Sequence, residues 1–164
     1  MPAIHALVQS AFRGEASRSG WTTEADLLDG QRTDEAALTD IVDSATGVIV
    51  LAEEGGRVVA CCHLEHPVNG VAYLGMVSVE PQLQAGGVGR AVLAEAERRA
   101  LARAAGRMRI TVIRQRSELI KWYERLGYRR TGESQPFPYG DERFGRPRVD
   151  DLEFVVLEKQ LTVA

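Results

Sequence analysis

EPQLQAGGVGRAVLAEAERRA, residues 80–100, places glycine at 86, 87 and 89 and then becomes helix-forming without a break. Glycine loses more backbone freedom on folding than any other residue, so a cluster at the mouth of a helix implies close approach of something to the main chain. A helix N-terminus offers unpaired N–H groups and the positive end of the helix dipole, and Arg90 adds a formal charge. Together these suit a phosphate. The alternative is a plain strand–turn–helix connection built from permissive residues. Two familiar phosphate loops fail on spacing. A Rossmann G-x-G-x-x-G counted from Gly87 would need glycine where Val92 stands, and a Walker loop needs a Gly-Lys pair that is missing here.

Working outward, the segment before the loop is β-rich. GVIVLAEE, RVVACCHLEH and VAYLGMVSVE are separated by EEGG and PVNG, which predicts three antiparallel strands over about 48–53, 57–66 and 71–79. After the loop, the pattern predicts a helix over about 89–105, stopped by Gly106, with Val88, Val92, Ala96, Ala100 and Ala104 on one face. RMRITVIR reads as a strand. SELIKWYERLG reads as a helix capped by Ser117 and closed by Gly127, and YRRTGE and DLEFVVLEKQL as two further strands. At the N-terminus, Ile4, Leu7, Val8 and Ala11 give a helix over 2–13. A second helix begins near Thr33, its predicted cap, with Leu38, Ile41 and Val42 as the buried stripe. The order indicates one α/β domain over residues 1–164, within the α+β class: a mixed, mostly antiparallel twisted sheet flanked by helices.

The bulk properties agree with that. The chain has 164 residues, 45% hydrophobic and 26% charged, with a formal net charge of −3. No stretch is purely basic, so nucleic-acid binding gains no support. No apolar run reaches the length of a membrane span, and the N-terminus does not read as a signal peptide. Cys61 and Cys62 are neighbours on a strand and point to opposite faces. They read as reduced packing residues of a cytoplasmic protein, and with three scattered histidines no metal site is expected.

Three motifs in order resemble the GNAT superfamily of N-acetyltransferases. Gln84-Ala85-Gly86-Gly87-Val88-Gly89-Arg90 matches the Q/R-x-x-G-x-G/A signature, LGMVSVEP before it resembles the family's central strand, and ELIKWYERLGY resembles its A-x-x-x-Y-E-x-x-G-F segment. The resemblance spans about residues 2–160. It departs from the family at the start, where a first strand normally precedes the first helix. That would leave Val48–Glu53 as an exposed sheet edge and leaves homodimerisation open.

The resemblance implies an enzyme that takes acetyl-CoA as cosubstrate and acetylates an amine by direct attack on the thioester. Main-chain N–H groups from Ala85 to Arg90 would hold the pyrophosphate, and Val77, Ser78 and Val79 would pair with the pantetheine arm. Arg116 stands where the family often has asparagine, which suggests a contact to phosphate or ribose instead. Tyr123 matches the family's general acid. For the base, His63 and Glu65 share a strand face, and Glu24 and Glu80 are further candidates; each also reads as an ordinary strand-end or turn residue. The acceptor site would be lined by residues 13–28 and 135–148, bringing Trp21, Phe137, Tyr139 and Phe144 beside Glu24, Asp26, Asp141 and Glu142. That lining suits a cationic amine, while Arg13, Arg18 and Arg143 suit a carboxylate. A small-molecule amine is the expected acceptor. A protein N-terminus or lysine, or binding of acyl-CoA without catalysis, are the alternatives.

Overall fold

The structure is a computed structural model describing every residue except Phe144 and Ala164. In chain order the elements are α1 (Pro2–Phe12), a one-turn α2 (Gly14–Ser17), β1 (Leu28–Asp29), α3 (Glu35–Asp43), β2 (Gly47–Glu54), β3 (Arg57–Val68), β4 (Val71–Val79), α4 (Val88–Ala102), β5 (Arg107–Ile113), α5 (Ser117–Arg125), β6 (Arg129–Pro136), β7 (Arg146–Pro147) and β8 (Glu153–Gln160). A single 3-10 turn, Pro81–Leu83, joins β4 to the glycine loop. The main sheet runs β2-β3-β4-β5-β8-β6, antiparallel except at β4–β5, and β2 is its edge as expected. β1 and β7 form a separate two-residue ladder.

Alternation along β3 explains the layers. Ala60, Cys62 and Leu64 meet α4 and α5 in the larger core, with Val92, Leu93, Ala96, Ile120 and Tyr123. Cys61 faces the other way and packs with Met76, Leu38 and the apolar stripe of α1. Burial pushes the Cys61 thiol up to about 11 and the Cys62 thiol up to about 12, so both remain neutral packing groups.

Three helix ends differ from the sequence expectation, each for a local reason. Asp34, not Thr33, caps α3: its carboxylate accepts the Ala37 N–H at 2.8 Å, while Thr33 is buried and its carbonyl bonds His5. α3 is short and only its Leu38 is fully buried; Val42 points to solvent at 49% exposure. α4 ends at Ala102 rather than near Gly106. Ala104 takes the left-handed conformation (φ 63°), and the Ala105 N–H bonds the Ala100 carbonyl at 3.0 Å, a Schellman closure with alanine in the usual glycine place. Arg116, not Ser117, is the N-cap of α5, whereas Gly127 closes it as predicted, with φ 98°.

The parallel pairing of β4 with β5 covers only Val71–Tyr73 against Arg107–Arg109. Beyond it β4 stays bonded to β3 alone, and β5 continues against β8 as far as Ile113–Phe154. The divergence begins at a bulge. Cys61 pairs with Ser78 but His63 with Gly75, so Met76 and Val77 together oppose Cys62, and Met76 sits at φ 56°. A left-handed non-glycine residue costs about 1–2 kcal/mol, and the Ser78 hydroxyl donates to the Met76 carbonyl at 2.9 Å across the kink.

The α3 cap gives a direct test. Asp34→Ala lowers stability by about 1 kcal/mol in urea titration, whereas Asp34→Asn, an equally good cap, restores most of it.

Candidate active site

The gap between β4 and β5 opens into a cavity of about 440 Å³. One end is the glycine loop, where Gln84, Ala85, Gly86, Gly87, Gly89 and Arg90 line the wall. Gly87 is the N-cap of α4 with φ 90°, a conformation that glycine adopts freely. The first α-helical hydrogen bond there is Ala91 N–H to the Gly87 carbonyl, at 3.0 Å. Among the described residues the amides of 87 to 90 have no acceptor, and Gly87, Gly89 and Arg90 line the cavity, an arrangement that suits an anion.

The middle of the cavity is lined by Val77 and Val79. The Glu80 N–H bonds the Val59 carbonyl at 2.9 Å, which fixes the alternation of β4. The amides of Val77 and Val79 then point into the gap, and that of Ser78 points to β3. Ser78 is 1% exposed, with its hydroxyl on Met76, and does not line the cavity. Val88 packs against the core instead. The gap therefore presents two strand amides, where the sequence reading counted three residues.

The far end is built by α5, with Leu119, Trp122 and Tyr123 in the wall. Tyr123 is 5% exposed and its hydroxyl makes no hydrogen bond among the described residues. Trp122 and Tyr128 hold its ring edge-on, with centroids at 4.9 and 5.5 Å. Burial raises its pKa well above the ordinary tyrosine value, against the opposing pull of Arg116. The hydroxyl thus stays protonated and neutral at ordinary pH, able to donate its proton.

Residues 20–24 strap the cavity. Gln84 accepts the Trp21 N–H at 3.1 Å and donates to the Val79 carbonyl at 3.2 Å, and a Cβ on Gly20 would collide with the Gln84 amide. Thr22 accepts from Arg116 at 2.8 Å and donates to Glu118 at 3.0 Å. The strap ends in Glu24, 6% exposed, whose Oε1 accepts from Arg116 at 2.8 Å and whose Oε2 is paired with Arg13. Burial alone would raise the Glu24 carboxyl, but Arg116, Arg13 and Arg32 outweigh it and hold it below its usual 4.5. A carboxylate with both oxygens engaged and a lowered pKa is a poor base. Arg116, proposed from sequence as a cofactor contact, does line the cavity, but its guanidinium is tied to Glu24 and Thr22.

A second cavity, of about 210 Å³, is bounded by Arg13, Glu24, Arg32 and Asp141, with Leu28, Ile113, Phe137 and Phe154 as its apolar wall. The two segments expected to form the acceptor site do meet: Arg148 N–H bonds the Leu27 carbonyl at 2.9 Å, and its side chain bonds the Ala25 carbonyl at 3.0 Å. Tyr139 does not line this cavity. Its hydroxyl bonds the Val149 carbonyl and the Leu152 N–H, which ties the loop together. Asp26 is turned to Arg18 at the surface, and Phe144 lies outside the described residues.

His63 and Glu65 line neither cavity. His63 packs beside Gly47 of the edge strand and Glu65 is exposed. His63 and Glu65 alternate with Cys62 and Leu64, which pack in the core with Tyr123, so their shared face is the one turned away from Tyr123. Glu80 pairs with Arg57 at 3.2 Å. Sequence reasoning missed Arg32 and Trp122. No local pattern marked Arg32: its surroundings come from Phe12, Arg13 and Glu24, which are distant in sequence.

Two outcomes follow from this geometry. Gly87→Ala, forced to keep a positive φ, loses about 1–2 kcal/mol of stability and weakens acetyl-CoA binding measured by calorimetry. Glu24→Gln breaks a buried carboxylate–arginine set and costs about 3–5 kcal/mol at pH 7. Since the folded pKa of Glu24 is depressed, its contribution is present above its unfolded value of 4.5 and is lost as pH falls through the folded one. The stability difference between wild type and Glu24→Gln therefore narrows in denaturation series below about pH 4.

Residues 3–128 match the model of the Acetyltransferase (GNAT) family. Among solved structures, the ribosomal-protein-S18-alanine N-acetyltransferase from Escherichia coli superposes with a TM-score of 0.70 at 17% identity, over 99% of this chain and 88% of that one. A putative phosphinothricin N-acetyltransferase gives 0.67 at 16% identity, over 99% and 94%. A GNAT family acetyltransferase from Elizabethkingia anophelis, with acetyl-CoA bound, gives 0.62 at 15% identity, over 78% and 84%. At these identities the likeness is one of fold. No curated protein sequence matches the chain, and among the described residues no helix is long and apolar enough to cross a membrane and no cluster of metal-ligating side chains occurs. With the family model covering most of its length, the chain belongs to the GNAT family of acetyltransferases.

Proposed function

We propose that the protein transfers an acetyl group from acetyl-CoA to the primary amine of a small molecule by direct attack, with Tyr123 as the general acid. The observation that carries this reading is the continuity of the larger cavity, which joins an anion cradle, two unpaired strand amides and a buried, proton-bearing tyrosine in one wall. Acetyl-CoA bound there supplies an activated acyl thioester. The amides of 87 to 90 and Arg90 would take its pyrophosphate, Val77 and Val79 its amide-bearing arm, and Trp21 and Trp122, with ring centroids 6.3 Å apart, would exclude water beside it. Ser78 would contribute through the bulge rather than by contact.

As the acceptor nitrogen forms its bond to the acyl carbon, the carbon–sulfur bond breaks and Tyr123 gives its proton to the departing sulfur. The nitrogen loses a proton before attack and another after it. One of these restores Tyr123, and the net release is one proton to solvent. Neither His63 nor Glu65 lies on this path, and Glu24 is held ionised by its arginines. The excess of buried guanidinium charge instead makes an ammonium group nearby easier to deprotonate.

The size of the second cavity supports a small acceptor over a protein N-terminus or lysine. At about 210 Å³, walled by Phe137, Pro138 and Phe154, it lies below the roughly 300–1,000 Å³ of drug-sized ligand sites.

Tyr123→Phe lowers kcat by about 10²- to 10⁴-fold in a free-thiol assay with an amine panel, while the acetyl-CoA dissociation constant stays within a few-fold. Retained turnover in that variant would remove Tyr123 from the proposed role, and retained binding with no turnover by wild type on any amine would favour an acyl-CoA-binding module.

A further inference from the structure

We infer that the acceptor amine also carries a carboxylate, and that the guanidinium of Arg32 receives it in the smaller cavity; this rests on the acetyl-transfer reading above. Arg13 and Arg32 in the wall of that cavity, and Arg116 in the wall of the larger one, all act on one carboxylate, Glu24. Both oxygens of Glu24 are taken, one by Arg13 and one by Arg116. Nothing remains for Arg32. Among the described residues its guanidinium makes no hydrogen bond and no ion pair. It lies over the Phe12 ring, 5.1 Å from the centroid, and lines the cavity. Asp34, its neighbour in sequence, is committed to the Ala37 amide. The other acid on the cavity wall, Asp141, is exposed at the surface.

Burial lowers the pKa of Arg32, and Arg13 and Arg116 lower it further against the pull of Glu24. A desolvated guanidinium in a field of its own sign is stabilised by any anion that can reach it, and its planar fork matches a carboxylate. Arg116 adds to the shortage of acceptors, since among the described residues its buried Nε also has no partner. The rest of the wall selects among small carboxylates. Leu28, Ile113, Phe137 and Phe154 offer an apolar surface opposite the arginines. An amino acid with an apolar side chain of modest size satisfies both ends.

The test compares L-leucine and L-phenylalanine with 3-methylbutylamine and 2-phenylethylamine, the same amines without the carboxylate. Wild type is expected to prefer the amino acids by at least about tenfold in kcat/KM, one buried charge-assisted hydrogen bond being worth about 1.5–3 kcal/mol. In Arg32→Met the preference collapses toward unity, chiefly through KM, and Arg32→Lys, which keeps the charge and loses the fork, falls between. Calorimetric titration of each amino acid into the CoA-saturated protein reads the same site without turnover: binding to wild type that is lost in Arg32→Met supports the inference even if no amine is acetylated. Equal or better use of the decarboxylated amines by wild type would overturn it. So would amino-acid binding that is unaltered in Arg32→Met. Failure of acetyl-CoA binding in wild type would instead strike the acetyl-transfer reading, and the amino-acid titration, repeated without CoA, still decides this one.

Discussion

The early end of the β4–β5 ladder is the constraint on which the site depends. Three residues of β4 pair with three of β5, and then the two strands separate inside a sheet that is otherwise continuous. An interior strand with unpaired amides is unfavourable, because buried backbone donors without acceptors cost free energy comparable to a lost hydrogen bond. The chain maintains the gap by bracing it. The bulge at Met76 turns β4 away, β8 keeps β5 straight, and the Tyr73 hydroxyl bonds the Thr111 hydroxyl at 2.8 Å just beyond the last paired residues. The helices then fit the opening. α4 starts at its mouth and α5 lays Trp122 and Tyr123 along its side.

Glu24 is the second point on which the architecture turns. One carboxylate joins the end of α1, the strap and the start of α5, through Arg13 and Arg116. Its partners border the two cavities, with Arg116 in the wall of the larger and Arg13 in that of the smaller. Buried ion pairs add little net stability compared with apolar packing, but breaking one is costly. Their usefulness here is geometric. A carboxylate that must satisfy two guanidiniums from different elements fixes how those elements approach, and the strap cannot leave the cavity without exposing that debt of charge. The same engagement, with both oxygens taken and the carboxyl held below its usual value by its arginines, makes Glu24 a weak proton acceptor.

Much of this was legible in the sequence where local rules and the family pattern coincide. The strand Val71–Val79, the glycine loop and the closure of α5 at Gly127 fall where expected, since each is set by residues adjacent in the chain. Caps were legible only by type. Thr33 and Asp34 are both good caps, and the choice between them was made by burial of Thr33 against α1. His63 and Glu65 do share a strand face as expected, but it is the face of Cys61, turned to α1, while Tyr123 packs on the face of Cys62 and Leu64; alternation is legible in the sequence, and which face meets α5 is not. Arg32 carried no local signal at all. Its environment is made by Phe12, Arg13 and Glu24 from other segments, and no spacing rule brings these together.

The distribution of charge bears on how an amine becomes a nucleophile in such a site. A dedicated carboxylate base beside the thioester would draw an ammonium in, but would also stabilise its charged form and oppose deprotonation. The arrangement observed here does the reverse. With two guanidiniums sharing one carboxylate and a third left over, the buried charge around the proposed acceptor cavity is positive, Asp141 on its wall being exposed. On the proposed reading, a simple cationic amine is repelled from it. An amine that brings its own negative charge is attracted, and once its carboxylate is paired, its nitrogen sits in a field that favours the neutral form. In that reading one uncompensated arginine serves selection and activation together, and the missing base beside Tyr123 follows from the electrostatics of the site.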